Sequence, residues 1–381
     1  MLVRCLAMMR GGGETRHLAW ARELLAAGVN VDIITGRPLI WGRARYAITD
    51  VPVTVLRSPY TRDFVYRWQR RRGFGRLTMA LLRADESWFC RLAWKHILSR
   101  HDKPDIVHAH ALPQAVRFRP GNIPVVVNLP GEPNALDVAD LRSADALVAD
   151  GWAAAQLPAK LGRPVARVAK GIDAELFRPD GPSLREALRL TGRRVVVAVA
   201  RLVPIKNVRL LVDAIAIVRQ RIPNVHLLMV GDGPQHRDVG SRVAEHDLRD
   251  CVTLVGSVPH ADTPSYYRAG DVFALSSDFD NSPNAVLEAM ACGLPIVATD
   301  SGGVRDFVAD ASSGAVVPTG DASALAEALE RYLANPELAR RAGGYNRRKA
   351  SEEFSWPESA RQLREIYRTT IESRGGAATS A

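Results

Sequence analysis

Two carboxylates and a predicted helix start lie close together within Ser276 to Asp310, whose sequence is SSDFDNSPNAVLEAMACGLPIVATDSGGVRDFVAD. The apolar residues before this stretch have the length of a buried strand, and the polar residues that follow predict a loop. A helix should begin next, because Ser282 is a good N-cap and Pro283 suits the first helical position. Asp280 then falls in the loop and Glu288 in the helix.

The start of this predicted helix is a candidate anion site. The first backbone N–H groups of a helix have no partner within it, and the helix dipole adds positive potential there. Asn284 and Glu288 are four positions apart and share one helix face, and the strand delivers Asp280 to the same end. We therefore expect a phosphate site flanked by two carboxylates. The alternative is an ordinary strand, loop and helix whose acidic side chains are simply solvated.

Two cations, Arg201 and Lys206, are the only positively charged residues in the loop ARLVPIKN. This loop follows a predicted strand, Arg194 to Ala200, in the same half of the chain as the candidate anion site. A pair of cations at the end of a strand could hold an anionic ligand. The alternative is a solvated surface pair, since basic residues are common in loops.

A glycine loop, RGGGE at 10–14, lies near the start of the chain. It separates a predicted strand at Leu2 to Met9 from a predicted helix at Thr15 to Ala27, and a second strand is expected at Val29 to Thr35. The glycines let the backbone approach a ligand closely. Their spacing is not GxGxxG, and no acidic residue ends the second strand, so a dinucleotide site is disfavoured. A tight turn that needs positive φ is the alternative.

Two histidines end the predicted strand KPDIVHAH at 103–110. The spacing of His108 and His110 places both on one side of a strand, where they could bind a metal, but no third ligand is evident nearby. We favour His110 at the edge of a ligand cleft. The next strand ends in an irregular polar loop, NLPGEP, which contains Glu132 and occupies the position where open α/β sheets bind ligands.

The composition is that of a globular protein, with 47% hydrophobic and 24% charged residues among 381. No apolar run approaches the roughly 20 residues of a membrane span, and MLVRCLAMMR is shorter than a signal peptide. We therefore expect a cytoplasmic protein. Reduced thiols fit this expectation, because no CxxC pair occurs among the four dispersed cysteines, Cys5, Cys90, Cys251 and Cys292.

The net charge is +10, and a concentration of basic residues lies in Thr61 to Arg83, TRDFVYRWQRRRGFGRLTMALLR. A basic surface implies an anionic partner. The interleaved aromatic residues could rest at the surface of an anionic membrane, although most such stretches are basic helices that cover a core. A nucleic-acid partner is not expected.

The alternation of strands and helices predicts an α/β chain of two doubly wound domains, because it begins again after a non-helical connector at Gly171 to Pro179. The first domain is expected at 1–172, together with a final helix at about 357–373. The second is expected at 173–356, and residues 374–381 are expected to form a disordered tail.

Four segments of the second half, ARLVPIKN, VGDGP, GSVPHADTPSYY and DNSPNAVLEAMACGLPIVATDSGGVRD, resemble the retaining family-4 glycosyltransferases of the GT-B fold. The first half is similar at GGGE, PDIVHAH and KGIDAELFRP. The resemblance implies two Rossmann-like domains facing across a cleft and a C-terminal helix that crosses back to the first domain. It also implies a nucleotide-diphosphate sugar as donor, a hydroxyl acceptor and no metal or other cofactor.

The resemblance also implies a role for each motif residue. Arg201 and Lys206 would hold the donor diphosphate, Asp280 would bind hydroxyls of the transferred sugar, and Glu288 would bind the ribose. The departing phosphate oxygen would take the acceptor proton, so no protein base is named. The remaining donor contacts would be the N–H groups near Asn284, Ala285 and Val286 for the diphosphate, the loop from Gly256 to Val258 for the base, and Gly12 and Gly13 for the phosphates or the acceptor.

Two positions depart from the family pattern. Asp280 replaces the first glutamate of a Glu-x7-Glu pair, which shortens its reach by one methylene. Pro130 stands where many relatives have a histidine, and either His110 or Glu132 would cover that acceptor-side role. These departures keep two alternatives open: a nucleotide-sugar binding protein without turnover, and an epimerase of the same fold. An oxidoreductase is disfavoured by the glycine loop.

Overall fold

The structure is a computed structural model that describes residues 1–8, 12–39, 48–59 and 75–378. The chain divides into two compact units. Unit 1 comprises Met1–Gly171 and Trp356–Ala381, and unit 2 comprises Ile172–Ser355. The division between the units falls within one residue of the expected positions.

Unit 1 is built on parallel strands whose order along the sheet is β2-β1-Leu2-β3-β4-β5-β6. Short helices and two long ones connect these strands. The strands are β1 Ile33–Pro38, β2 Val53–Ser58, β3 Val107–His110, β4 Val125–Leu129, β5 Ala146–Ala149 and β6 Ala166–Arg167, and the helices are α1 Gly12–Ala26, α2 Gly75–Ser99, α3 Gln114–Arg117, α4 Val138–Arg142 and α5 Gly151–Leu161.

The strand predicted at Leu2 to Met9 is wrong in extent. Only Leu2 bridges strands on both sides. On the β3 side its N–H donates to His108 O at 2.7 Å, and on the β1 side the adjacent Val3 N donates to Ile34 O at 3.0 Å. The chain then turns, with Leu6 N donating to Val3 O at 3.2 Å. The segment is nevertheless buried, and a short apolar run does not distinguish a buried strand from a buried turn.

Unit 2 has a six-stranded parallel sheet in the order β12-β11-β10-β7-β8-β9. In chain order this is the doubly wound arrangement, in which the direction of winding reverses between β7 and β10. The strands are β7 Arg194–Val199, β8 Val225–Val230, β9 Val252–Gly256, β10 Val272–Leu275, β11 Ile296–Thr299 and β12 Gly314–Val317, and the helices are α6 Val208–Arg221, α7 His236–Glu245, α8 Thr263–Tyr267, α9 Asn284–Ala291, α10 Ala322–Ala334 and α11 Pro336–Glu353.

The central strands of unit 2 explain the long valine-rich runs in the sequence. All six residues of β8 and all four of β10 are buried, since helices cover both faces of the sheet. The amphipathic helices α6 and α10 pack together on one of these faces. A rigid sheet therefore carries the loops at its carboxyl edge.

The last helix, α12 Trp356–Ala378, belongs to unit 1. It packs against α1, where Trp20 Nε1 donates to Ser359 Oγ at 2.7 Å. A disordered tail was expected from residue 374, but the helix continues through Ala378. The ion pair between Arg374 Nε and Asp145 Oδ1, at 2.6 Å, holds this last part of the helix against unit 1.

The basic stretch Thr61 to Arg83 lies largely outside the described residues, which resume at Gly75, the first residue of α2. Among the helices that are described, none has the length and apolar composition required to cross a bilayer.

Candidate functional site

The loops after β7 and β10 lie side by side at the carboxyl edge of the unit 2 sheet. The two strands are neighbours, with Val196 paired to Val272. Ser276 Oγ donates to Lys206 O at 3.1 Å, and Asn207 Nδ2 donates to Asp278 Oδ1 at 2.8 Å. These bonds join the loops at the point where the winding of the sheet reverses, which is where doubly wound folds bind ligands.

Lys206 and Asp280 form an ion pair between these two loops. Their side chains are only 17% and 16% exposed, so the pair is mostly sheltered from water. An ammonium group has three N–H donors and a carboxylate has two acceptor oxygens, so both groups retain capacity for a ligand. Arg201 is exposed, and its side chain has no hydrogen-bond or ion-pair partner among the described residues.

Glycines fix the path of the backbone around this pair. Gly231, in the VGDGP motif, has φ +128°, and a Cβ there would overlap the carbonyl oxygen of Ala200. A Cβ at Gly233 would overlap the backbone of Leu202 in the same way. The loop after β8 therefore packs directly against the backbone on both sides of Arg201.

The helix start predicted at Ser282 is shifted by one residue. The N-cap of α9 is Pro283, in an extended conformation, and no side chain caps the helix. Proline has no N–H and no side-chain acceptor, so it cannot cap the first amides as a serine would. The first turn, Asn284 to Val286, follows Asp280 closely, and Asp280 is itself held by a 2.9 Å bond from Gly303 N to its carbonyl.

Glu288 is 7% exposed, and both of its carboxylate oxygens are engaged. Oε1 accepts from His260 Nε2 at 2.9 Å, and Oε2 accepts from the Tyr267 hydroxyl at 2.7 Å. The hydrogen bond to Glu288 raises the pKa of His260, and burial followed by the Glu288 charge raises the pKa of Tyr267 well above its ordinary value. Phe177 lies against the imidazole, with ring centroids 5.2 Å apart.

Sequence reasoning missed the role of His260 and Tyr267 as partners of Glu288. Both residues lie in the motif GSVPHADTPSYY. The histidine and the pair of tyrosines in this motif were the sequence signal from which the partners of Glu288 could have been predicted. Nearby, β9 ends at Gly256, with φ +84°, whose carbonyl accepts from Gly231 N at 2.8 Å. The partly buried Val258 follows on the same loop.

The corresponding edge of unit 1 brings Gly13 and His110 together. A Cβ at Gly13 would clash with the imidazole of His110, whose Nδ1 lies 3.0 Å from Asn128 Oδ1. The ring of His17 lies 4.4 Å from that of His110 and donates from Nδ1 to Gly13 O at 2.8 Å. Gly12 is exposed at the first position of α1.

His108 points into the core of unit 1, where its Nδ1 lies 2.5 Å from the Tyr367 hydroxyl. Burial lowers the pKa of His17 and of His108 well below the ordinary value, so both imidazoles are neutral near pH 7. Within the described parts of the chain, no group of three or more histidine, cysteine, aspartate or glutamate side chains is arranged to hold a metal.

Glu132 and Pro130 line a pocket of about 290 Å³ in unit 1, at the ends of β3 and β4. Glu132 is exposed, and its Oε1 pairs with Lys160 Nζ at 2.6 Å. Ala111 lines the same pocket, whereas the preceding His110 contacts Gly13 and Asn128. Of the two residues suggested for the acceptor side, Glu132 therefore reaches the pocket.

Comparison with known proteins shows similarities in sequence and in fold. Residues 182–349 match the family model described as "Glycosyl transferases group 1". A GDP-mannose-dependent alpha-(1-6)-phosphatidylinositol monomannoside mannosyltransferase from Mycolicibacterium smegmatis is 31% identical over 54% of this chain and 56% of its own length. An alpha-D-kanosaminyltransferase from Streptomyces kanamyceticus is 32% identical over 56% of each chain. The matched region spans about half the length of these curated relatives.

Solved structures show the same α/β fold with parallel sheets, which is the GT-B fold. Sucrose-phosphate synthase from Thermosynechococcus elongatus has a TM-score of 0.80 at 22% identity, with 98% of each chain covered. HepE from Anabaena, in complex with UDP, has a TM-score of 0.71 at 20% identity, with 94% of this chain and 96% of that chain covered.

Proposed function

We propose that this chain is a glycosyltransferase that moves a sugar from a nucleotide-diphosphate donor to a hydroxyl acceptor, because residues 182–349 match the model of the group 1 glycosyl transferases. The Lys206–Asp280 ion pair carries the proposal. It lies where the sheet changes its direction of winding, between the loop of Arg201 and the uncapped start of α9.

Lys206, Arg201 and the first amides of α9 bind the diphosphate in this proposal. Breaking the bond between sugar and phosphate leaves additional negative charge on the diphosphate, so donors already in place stabilise the transition state. A charge-assisted hydrogen bond contributes about 1.5–3 kcal/mol, and a helix dipole about 0.3–2 kcal/mol. The two side chains should therefore matter more than the helix.

The reaction proceeds with retention at the anomeric carbon. The bond from this carbon to the diphosphate oxygen breaks, the acceptor oxygen bonds on the same face, and the acceptor proton passes to the departing phosphate oxygen. This route needs no protein base. Cationic side chains and backbone amides supply the positive charge, and we therefore propose an activity that is independent of metals and other cofactors.

Asp280 holds hydroxyls of the transferred sugar through its carboxylate oxygens, with Lys206 orienting it. The two carboxylate oxygens of Glu288 offer about four acceptor positions, of which His260 and Tyr267 use two. Glu288 binds the ribose through the remaining positions. The loop from Gly256 to Val258 meets the base. In unit 1, Gly12 and Gly13 approach the phosphates or the acceptor.

The acceptor class extends to small molecules, glycans and lipid-linked molecules. Names of relatives support this breadth, since one acts on a phosphatidylinositol monomannoside and another is a kanosaminyltransferase. The basic aromatic stretch Thr61 to Arg83 would allow peripheral contact with an anionic membrane. We place the protein in the cytoplasm, because its four cysteines lie far apart in the sequence without a CxxC pair, a pattern typical of reduced thiols.

Donor turnover by Lys206→Ala and Arg201→Ala tests the proposal. Each variant should lose about 10²-fold or more, the usual cost of removing a charge contact made in the transition state. Arg341→Ala, which removes an exposed arginine of α11, is the matched control and should retain full activity. A loss well below about tenfold in both site variants would refute the assignment.

A binding protein without turnover is the second candidate, favoured by Asp280 and Pro130 at positions where the family pattern has other residues. Transfer to a crude acceptor mixture, or slow hydrolysis of a bound donor, would exclude it. An epimerase would instead yield an altered sugar nucleotide in the absence of any acceptor.

A further inference from the structure

The pocket in unit 1 is formed by four parts of the fold. Two turns of α2 and the loop after β3 line it on one part of its surface. The loop after β4 and a short 3₁₀ turn at Ala135–Asp137 form the remainder. Its volume of about 290 Å³ is close to the lower limit for small-molecule sites, which suits one six-membered ring with its substituents.

The charged residues that line this pocket are mostly acidic. Glu86, Glu132 and Asp137 contribute three carboxylates, and Arg83 contributes a single guanidinium. Arg83 is already paired with Asp137 and, at 3.3 Å, with Asp140. Lys160 Nζ lies 2.6 Å from Glu132 Oε1, so two cations stand against these three carboxylates and Asp140. The group keeps a net negative charge in a chain whose net charge is +10.

A buried glutamine holds two of these carboxylates in place. Gln114 is fully buried, and its Nε2 lies 3.4 Å from Glu86 Oε2 and 3.3 Å from Asp137 Oδ1. One amide group thus joins the acid on α2 to the acid on the 3₁₀ turn. The two carboxylates are oriented before a ligand arrives, which lowers the entropic cost of binding.

Apart from Asn134, the side chains in the rest of the lining are apolar. Leu82, Leu129, Pro130 and Pro133 present hydrocarbon surface beside the acidic groups. A ring with hydroxyl or amino substituents matches both features, because its C–H faces pack on the apolar wall while its O–H or N–H groups donate to carboxylates. A phosphate or carboxylate group has no donor to offer and would be repelled.

We propose that this pocket binds the acceptor, and that the part of the acceptor held there is a polyhydroxylated ring without negative charge, bound most tightly when it carries an amine. The inference rests on the proposed glycosyl transfer. It concerns a different unit and a different ligand from the donor contacts, so the two can be tested separately.

Three cyclitols that share one ring size and differ in charge provide the test: 2-deoxystreptamine as the cation, myo-inositol as the neutral ring and myo-inositol 1-phosphate as the anion. Binding to the full chain is measured by calorimetry without donor. We expect 2-deoxystreptamine to bind at least tenfold more tightly than myo-inositol, and the phosphate more weakly than either. Equal or tighter binding of the phosphate overturns the inference, as does the absence of binding by all three.

Two variants locate the binding. Glu86→Gln and the exposed Glu132→Gln should each weaken 2-deoxystreptamine about tenfold and change myo-inositol less than threefold. Glu352→Gln, on the exposed side of α11, should change neither. Unchanged affinity in both pocket variants overturns the inference. Glu132 and its partner Lys160 are about half exposed, so Glu132→Gln should leave unit 1 folded.

Donor turnover is recorded on the same preparations. Charge-selective cyclitol binding without any sugar transfer refutes the proposed function and leaves the charge preference of the pocket in place. If sugar transfer depends on Lys206 but the cyclitols bind without a charge preference, the inference about the acceptor is refuted and the proposed function is not.

Discussion

The two units share a doubly wound topology but place opposite chemistry at their carboxyl edges. In unit 2 this edge carries Arg201, the Lys206–Asp280 pair and an uncapped helix start, which suit an anion. In unit 1 it carries Gly13 against the imidazole of His110 and a pocket with three carboxylates. Topology therefore favours a ligand site at the carboxyl edge of each unit, and the loop residues set the charge that such a site would favour.

The largest expected difference between the two units is in the unfolding free energy that a Gly→Ala substitution costs at each carboxyl edge. Gly231→Ala in unit 2 should cost about 3 kcal/mol of unfolding free energy, because its Cβ would meet the backbone of Ala200 at a positive φ. Gly13→Ala in unit 1 should cost about 1–2 kcal/mol, since the clash is with the movable side chain of His110.

Gly240→Ala, within α7, is the control for both variants. A Cβ at this position would meet nothing within 4 Å, so the variant should gain about 0.5–1 kcal/mol from helix propensity. Calorimetric unfolding measures all three. Equal costs at Gly231 and Gly13 would contradict the distinction between backbone and side-chain contact.

Nucleotide affinity should depend on unit 2 through Glu288. Glu288→Ala removes the proposed ribose acceptor and leaves the Tyr267 hydroxyl without its partner, so affinity for a nucleoside diphosphate should fall about tenfold or more. Calorimetric titration measures this loss, with Glu352→Gln as the control. An affinity equal to that of the unaltered chain would rule out the ribose role.

Histidine titration should shift local stability in opposite directions around His260 in unit 2 and around His17 and His108 in unit 1. The pKa of His260 is raised above 6.5, so its contribution is present below pH 6.5 and is lost as the pH rises through the folded-state pKa. The pKa values of His17 and His108 are lowered, so the unfolded chain binds protons first and stability is lost as the pH falls below 6.5.

Hydrogen exchange between pH 5 and pH 8 resolves these contributions by unit. His260→Gln should abolish the gain of protection at acid pH around α8 and α9 and leave unit 1 unchanged. His17→Gln should reduce the acid sensitivity of unit 1. The same pH response around α8 and α9 as around α1 in the unaltered chain would contradict this prediction.

The sequence predicted the fold of unit 2 closely, because its signals are local. The bounds of α6, β8, β10 and α11 agree with the structure, since strong apolar periodicity and clear end signals define them. Two strands at sheet edges, β2 and β12, were not predicted. Residues of β2 are mostly partly exposed, so no buried apolar run marks it.

The candidate site was predictable as a set of residues but not as a set of contacts. Motif resemblance indicated Arg201, Lys206, Asp280 and Glu288, yet the ion pair of Lys206 joins residues 74 positions apart. The partners of Glu288 and the acidic pocket of unit 1 likewise depend on tertiary packing. Sequence spacing predicts contacts between residues of the same helix or strand. It does not predict contacts between residues that lie on different elements.

The return of α12 to unit 1 has a consequence for the order in which the chain folds during synthesis. Unit 2 is continuous, so it can complete its core as soon as residue 355 has left the ribosome. Unit 1 begins first but lacks Ser359, Leu363 and Tyr367, which fill its core, until the last helix has been made. The first half of the polypeptide to be synthesised is thus the last to become native.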